Sequence, residues 1–184
     1  MLSDAGSWGA VQFGDVDDDD VGYMKYAHNG DFLRFGTAGN TRFRIDADGV
    51  KFNGDTAAGN ALDDYEEGSW TPTLHDGTCG SSNARYVKIG RQVTIWALCD
   101  NFSDRTTNDE VKIGGLPFNS ESNGAKGSCM YRYCDESART TIYMNSSNQM
   151  FLYGGETGNY TQVRHNELNS SNFEVYLMAT YDAD

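Results

Sequence analysis

The chain has 184 residues, with 27 Asp and Glu against 14 Lys and Arg, a net charge of -13, 21 Gly, only 2 Pro, and 12% Tyr, Phe and Trp. A charge this negative excludes nucleic acid, whose phosphates need a basic face, and equally excludes adhesion to an anionic membrane. Hydrophobic content of 38% is low for a globular domain, yet the aromatics are too evenly spread for disorder, so a thin protein of many short strands is expected.

Taken in chain order, Trp8–Phe13, Gly22–Ala27, Asp31–Phe35, Arg42–Asp46 and Val50–Phe52 are short runs rich in β-branched and aromatic residues. Between them lie His28-Asn-Gly-Asp31, Thr37-Ala-Gly-Asn40 and Asp46-Ala-Asp-Gly49, which supply the positive φ angles of tight hairpin turns. Residues 1–54 are therefore a strand-rich shaft. In Arg42-Phe43-Arg44-Ile45 the alternation predicts Arg outward and Phe and Ile inward. Asp15-Val-Asp-Asp-Asp-Asp20 partly fits a calcium loop, but Asp20 stands at the glycine position and Tyr26 at the twelfth; a solvated acidic turn is expected, with no metal. A ladder of about 50 residues cannot bury its own aromatic stripe. Symmetric association of several copies would bury it, and packing of the strands on the rest of the chain is the competing solution.

Residues 55–68 change character, with small residues and acids, and Asp55 is placed to cap a short helix over Thr56–Leu62. This stretch is read as an acidic junction. From 69 to 184 strands return, over Trp70–Leu74, Ala84–Ile89, Gln92–Cys99, Glu110–Ile113, Ser128–Cys134, Thr140–Asn145, Gln149–Tyr153, Thr161–Arg164 and Asn172–Tyr181. With no helical period, they predict an antiparallel β-sandwich, jelly-roll-like head, so the fold class is all-β: an oligomeric shaft followed by that head. Residues 1–67 carry 14 acids and 5 bases, and 68–184 carry 13 and 9, so the acidity belongs mainly to shaft and junction.

No run approaches 18 apolar residues, so no membrane insertion is expected, and the N-terminus lacks the features of a secretory signal. Cys79, Cys99, Cys129 and Cys134 form no C-x2-C pair, and His28, His75 and His165 are scattered, so a zinc site is unsupported. Cys129 and Cys134, five strand residues and roughly 17 Å apart, are beyond disulfide reach. Free thiols in a reducing cytosol are the expectation. No motif selects a catalytic residue or a cofactor from the acids present, and no Ser/His/Asp order or phosphate loop occurs, so no enzyme is expected. Recognition of a sugar or protein surface needs only loops with aromatic and amide side chains. Gly154–Tyr160 is the best such loop, and Glu156, Asn159 and Tyr160 are its candidate contacts; for Tyr160, packing against the next strand competes. Asn101–Asn108 and Asn119–Lys126 are further polar loops. Trp70 and Trp96 lie in strand patterns and are expected in the core.

Four segments in order carry a resemblance: Arg42-Phe-Arg-Ile-Asp-Ala-Asp-Gly-Val-Lys-Phe-Asn-Gly-Asp55, Leu62-Asp-Asp-Tyr-Glu-Glu-Gly-Ser-Trp-Thr-Pro-Thr-Leu74, Tyr86-Val-Lys-Ile-Gly-Arg-Gln-Val-Thr94 and Ile113-Gly-Gly-Leu-Pro-Phe118. As an ordered set over residues 20–120 they resemble the C-terminal portion of bacteriophage tail fibres and receptor-binding proteins. That resemblance implies a homotrimer, location on the virion tail after assembly in the bacterial cytoplasm, contact with other tail or fibre proteins, and binding to a host cell-surface polysaccharide or protein. It fades beyond Phe118, where receptor specificity is expected to vary. Such fibres usually carry a long N-terminal region that attaches to the virion; without it, the chain is expected to be a C-terminal piece or a small fibre carried by another protein. A head fibre or capsid decoration protein is the alternative, and a glycan depolymerase the third reading.

Overall fold

The computed structural model describes residues 4–121, 126–134, 141–145, 148–156, 159–168 and 170–183. It is nearly all β, with two antiparallel sheets, one of them curled into a half-barrel, and the chain divides into two compact units, Met1–Asp64 and Tyr65–Asp184.

The first unit is a five-stranded meander of β1 (Trp8–Phe13), β2 (Gly22–Ala27), β3 (Phe32–Thr37), β4 (Asn40–Asp46) and β5 (Gly49–Phe52). Its turns fall on the Gly, Asn and Asp clusters, where Asp31, Ala38, Gly30, Gly39 and Gly49 have positive φ. Register sorts the side chains into rows, because residues on one face of a sheet alternate. One face carries Val11, Met24, Phe35, Phe43 and Phe52 as one cross-strand row and Tyr26, Leu33, Ile45 and Val50 as the next. The opposite face carries Ala10, Lys25, Arg34, Arg44 and Lys51.

The alternation in Arg42–Ile45 is present, but the face it covers is reversed. Lys51 is only 1% exposed, whereas Ile45 is 41% and Phe52 51% exposed. The basic face is covered because its charges are neutralised at short range. Lys51 Nζ donates to both carboxylate oxygens of Asp46 at 3.0 Å and to Asp48 at 2.5 Å, Arg44 pairs with Asp46 at 2.6 Å, and Lys25 with Asp20 at 2.6 Å. Arg34 stacks over the Trp8 ring at 4.3 Å and Arg44 over Phe32 at 3.8 Å. The Tyr23 ring lies across Gly36, where any Cβ would collide with it, and its hydroxyl bonds Thr41 at 2.9 Å. Among the described residues, every strand of the unit belongs to this one sheet, and none is layered over its apolar face.

The helix expected over Thr56–Leu62 is a single 3-10 turn, Ala58–Asn60. Asp55 does receive the Ala57 N–H at 2.8 Å and the Asn60 side-chain amide at 2.6 Å. Leu62, however, is drawn back to Val50 by two backbone bonds of 2.7 and 3.1 Å, which leaves no room for further turns and adds Leu62 to the second apolar row.

The second unit is one continuous ten-stranded sheet: β6 (Tyr65–Ser69), β8 (Gly80–Ile89), β9 (Gln92–Asp100), β15 (Glu174–Asp182), β11 (Lys126–Arg132), β12 (Thr141–Met144), β13 (Met150–Glu156), β10 (Lys112–Gly114) and β7 (Thr73–Leu74) neighbour one another in that order, and β14 (Asn159–Gln162) pairs with β13. The layers expected of a sandwich are thus joined by hydrogen bonds. One face supplies the core, with Val93, Ile95 and Cys99 from β9, Val175 and Leu177 from β15, Ile142 and Met144 from β12, and Met150 and Leu152 from β13. Trp70 joins them, its indole N–H donating to the Trp96 carbonyl at 3.2 Å. Trp96 does not. It alternates with Ile95 and Ala97 and so stands, half-buried, on the outer face of β9. With apolar residues on both faces of β9, Ile95 on one and Trp96 and Leu98 on the other, alternation alone gives no sign of which face turns inward.

Candidate receptor-contacting surface

The β13–β14 hairpin presents two of the three proposed contacts at its last cross-strand pair. Glu156 is opposite Asn159, and Gly155 is opposite Tyr160; for Glu156 and Asn159 only the backbone is described. Residues 157 and 158 of the same loop lie outside the described residues. Tyr160 is 78% exposed, and its ring meets Tyr153 edge-on with centroids 5.2 Å apart. Tyr160 therefore touches a neighbouring strand and still offers most of its ring to solvent.

Register extends this contact into an aromatic ridge of Tyr160, Tyr153 and Tyr143, with Phe151 on the same face but itself buried, 7% exposed. Phe151 and Tyr153 alternate with core residues along β13, Tyr143 pairs with Phe151, and Gln162 pairs with Tyr153, so these side chains share the outer face. Tyr143 and Tyr153 are 6.0 Å apart and Phe151 and Tyr153 6.3 Å. Gln162 donates to the Tyr153 hydroxyl at 2.8 Å, fixing that ring. Burial raises the Tyr153 phenol above its ordinary pKa, so it stays a neutral donor. Lys112 flanks Phe151, 5.7 Å from its centroid, and is paired with Glu110 at 3.6 Å. Aromatic rings with amides and one neutralised cation beside them suit the apolar face and hydroxyls of a sugar, or a flat protein surface. Sequence reading found Tyr160 but missed Tyr143, Phe151 and Tyr153. Their alternation was readable; their shared face depended on strand pairings that were not.

The other candidates are placed as follows. The Asn101–Asn108 loop is folded onto Asp104, whose carboxylate accepts from the Thr106 and Thr107 backbone N–H groups at 3.0 and 3.3 Å and from the Thr107 hydroxyl. These bonds, the Thr107 hydroxyl foremost, hold the Asp104 carboxyl down to about 2. His165, fully buried, packs its Nδ1 3.0 Å from the Asp104 carbonyl. Of the Asn119–Lys126 loop, residues 122–125 lie outside the described residues. In the Asp15–Asp20 turn, Asp15 accepts the Asp17 and Asp18 N–H groups at 2.9 and 3.0 Å, so its carboxylate is occupied by its own backbone. Among the described residues no three His, Cys, Asp or Glu are placed to share a metal ion, and no helix is long and apolar enough to cross a membrane. The Cys79 and Cys99 thiols hydrogen-bond each other, which lowers the pKa of Cys79 and raises that of Cys99. Burial pushes the Cys129 thiol up to about 12.

Compared with models of protein families, with curated proteins and with solved structures, the chain matches none of them.

Proposed function

We propose that the protein is a homotrimeric bacteriophage tail fibre or receptor-binding protein, carried on the virion among other tail proteins, whose heads bind a host surface polysaccharide without covalent chemistry. The observation that carries this reading is the apolar face of the first unit. Much of two cross-strand rows stands open, with Val11, Met24, Phe35, Ile45, Phe52 and Leu62 each 38–51% exposed and Leu33, Phe43 and Val50 half-buried among them. A contiguous apolar face of this kind marks an interaction surface, and copies of the chain arranged about a rotation axis can bury it against one another in a closed ring. The trimer itself is taken from the resemblance of the Arg42–Asp55 and Leu62–Leu74 segments to phage fibres. Association brings several aromatic ridges to one host surface, where multivalency converts weak contacts into stable attachment.

Purified protein is expected to bind host cells and to compete with particle adsorption; protein that does neither overturns the proposal. Tyr160→Ala, at an exposed position, should leave unfolding within about 0.5 kcal/mol of the parent while weakening cell binding by at least tenfold per head. Unchanged cell binding in that variant would remove the ridge from the reading. Antibody labelling that finds the protein on the capsid would replace the tail assignment with a decoration role.

A further inference from the structure

A cleft of about 430 Å³ opens where β7, β10 and β13 meet, lined among others by Thr73, His75, Gly114, Asn119, Asn148 and Gln149. We infer that this cleft is a subsite for an uncharged sugar residue of the same polysaccharide that lies along the aromatic ridge. The inference deepens the attachment reading and rests on it for its biological role, while its chemistry stands on the cleft itself.

No carboxylate, ammonium or guanidinium lines the cleft, so nothing in it compensates a charged ligand. Its polar groups are amides, a hydroxyl and an imidazole, which together donate and accept. A sugar hydroxyl does both. Asn148 is already committed: its Oδ1 accepts the Ser120 N–H at 2.6 Å and its Nδ2 donates to Asn119 Oδ1 at 3.0 Å. That bond fixes the Asn119 amide, leaving its NH2 as a donor. Gln149 and His75 are anchored through their backbone N–H groups, to Asn145 Oδ1 at 3.3 Å and the Lys112 carbonyl at 3.1 Å. Their side chains make no hydrogen bond to another described residue and remain available. At Gly114 a Cβ would stand 3.4 Å from Thr73 Oγ1 and 3.8 Å from the Asn148 carbonyl oxygen, between two lining residues, so a larger side chain would occupy the space a ligand needs.

Position links cleft and ridge. Gln149, Phe151 and Tyr153 alternate on one side of the β13 segment, roughly 7 Å per step, and Lys112 and Gly114 face them from β10. A polysaccharide laid along β13 therefore passes from ring stacking on Tyr160 and Tyr153 to hydroxyl recognition in the cleft.

The test is NMR titration of the full chain with neutral oligosaccharides (of glucose, galactose and mannose), with sialic acid and uronic acid oligomers as the charged arm. At least one neutral oligomer is expected to shift the Asn119 and Gln149 side-chain amides and the Gly114 backbone amide. Gln149→Ala and Gly114→Val should each weaken that binding at least tenfold, while Asn101→Ala should not. Gln149→Ala removes only a side chain at the sheet surface, so it keeps the test valid should Gly114→Val fold poorly. Silence of these signals with every neutral oligomer, preference for the charged arm, or parent-like binding by Gln149→Ala overturns the assignment. Host-cell adhesion measured in parallel separates the two claims. Adhesion with a silent cleft overturns the cleft alone; an occupied cleft without adhesion overturns the attachment reading alone.

Discussion

Phe43→Glu is expected to convert the assembled protein into monomers. Phe43 stands between Phe35 and Phe52 in its row, its ring 5.7 Å from both. Losing the ring forfeits about 2 kcal/mol of apolar burial per copy, and a carboxylate in the seam adds a desolvation cost of several kcal/mol. Copies related by rotation would also bring their new charges together. At about 1.4 kcal/mol per tenfold change, the association constant should fall by roughly three orders of magnitude or more. Sedimentation velocity would read this as a shift from an assembled species to a 20.3 kDa chain. Phe43→Leu, which keeps the face apolar, should stay assembled. A Phe43→Glu variant that sediments like its parent would mean that this face is covered by something other than a second copy.

Phe173→Ala should be the most damaging single change in the second unit. The Phe173 side chain is fully buried, edge-on to Phe102 with centroids 4.9 Å apart and tilted against Tyr131 at 6.1 Å. Truncation leaves a cavity between the buried Phe102 ring, in the loop after β9, and the Tyr131 ring of β11, and the expected cost is about 3–5 kcal/mol. Urea unfolding followed by tryptophan fluorescence measures it, because Trp70 reports from the same core. A loss below about 1 kcal/mol would show that Phe173 does not help hold the core together. Tyr160, 78% exposed, makes no comparable contribution to the core.

Local chemistry made much of the fold legible. Asn-Gly, Ala-Gly and Asp-Gly at the turns placed β1 to β5 within one or two residues, since few other residues accept those backbone angles. In the second unit, Val93–Cys99 and Thr141–Met144 announced themselves by alternation. What alternation cannot supply is the side on which the covering lies. Phe43 and Arg44 were correctly assigned to opposite faces, yet the covered one was Arg44's, because Asp46 and Asp48 neutralise the basic row. Trp96 was misplaced for the same reason. The short helix failed on a long-range term, the Val50–Leu62 bridge, which local capping does not reveal. The site was least legible of all. Tyr160 drew notice as a loop aromatic, but the ridge requires the pairing of Tyr143 with Phe151, and the cleft gathers Thr73, Gly114, Asn119 and Gln149 from four separated segments.

Attachment through several equal heads is tested most directly by dissociation from host cells. Labelled parent protein and its Phe43→Glu variant would be bound to cells and then followed during washing. Because linked contacts multiply residence by roughly 10²–10⁴ over a single one, the parent should remain while the variant releases at least a hundredfold faster. Equal release rates, or no binding by either protein, would contradict the account.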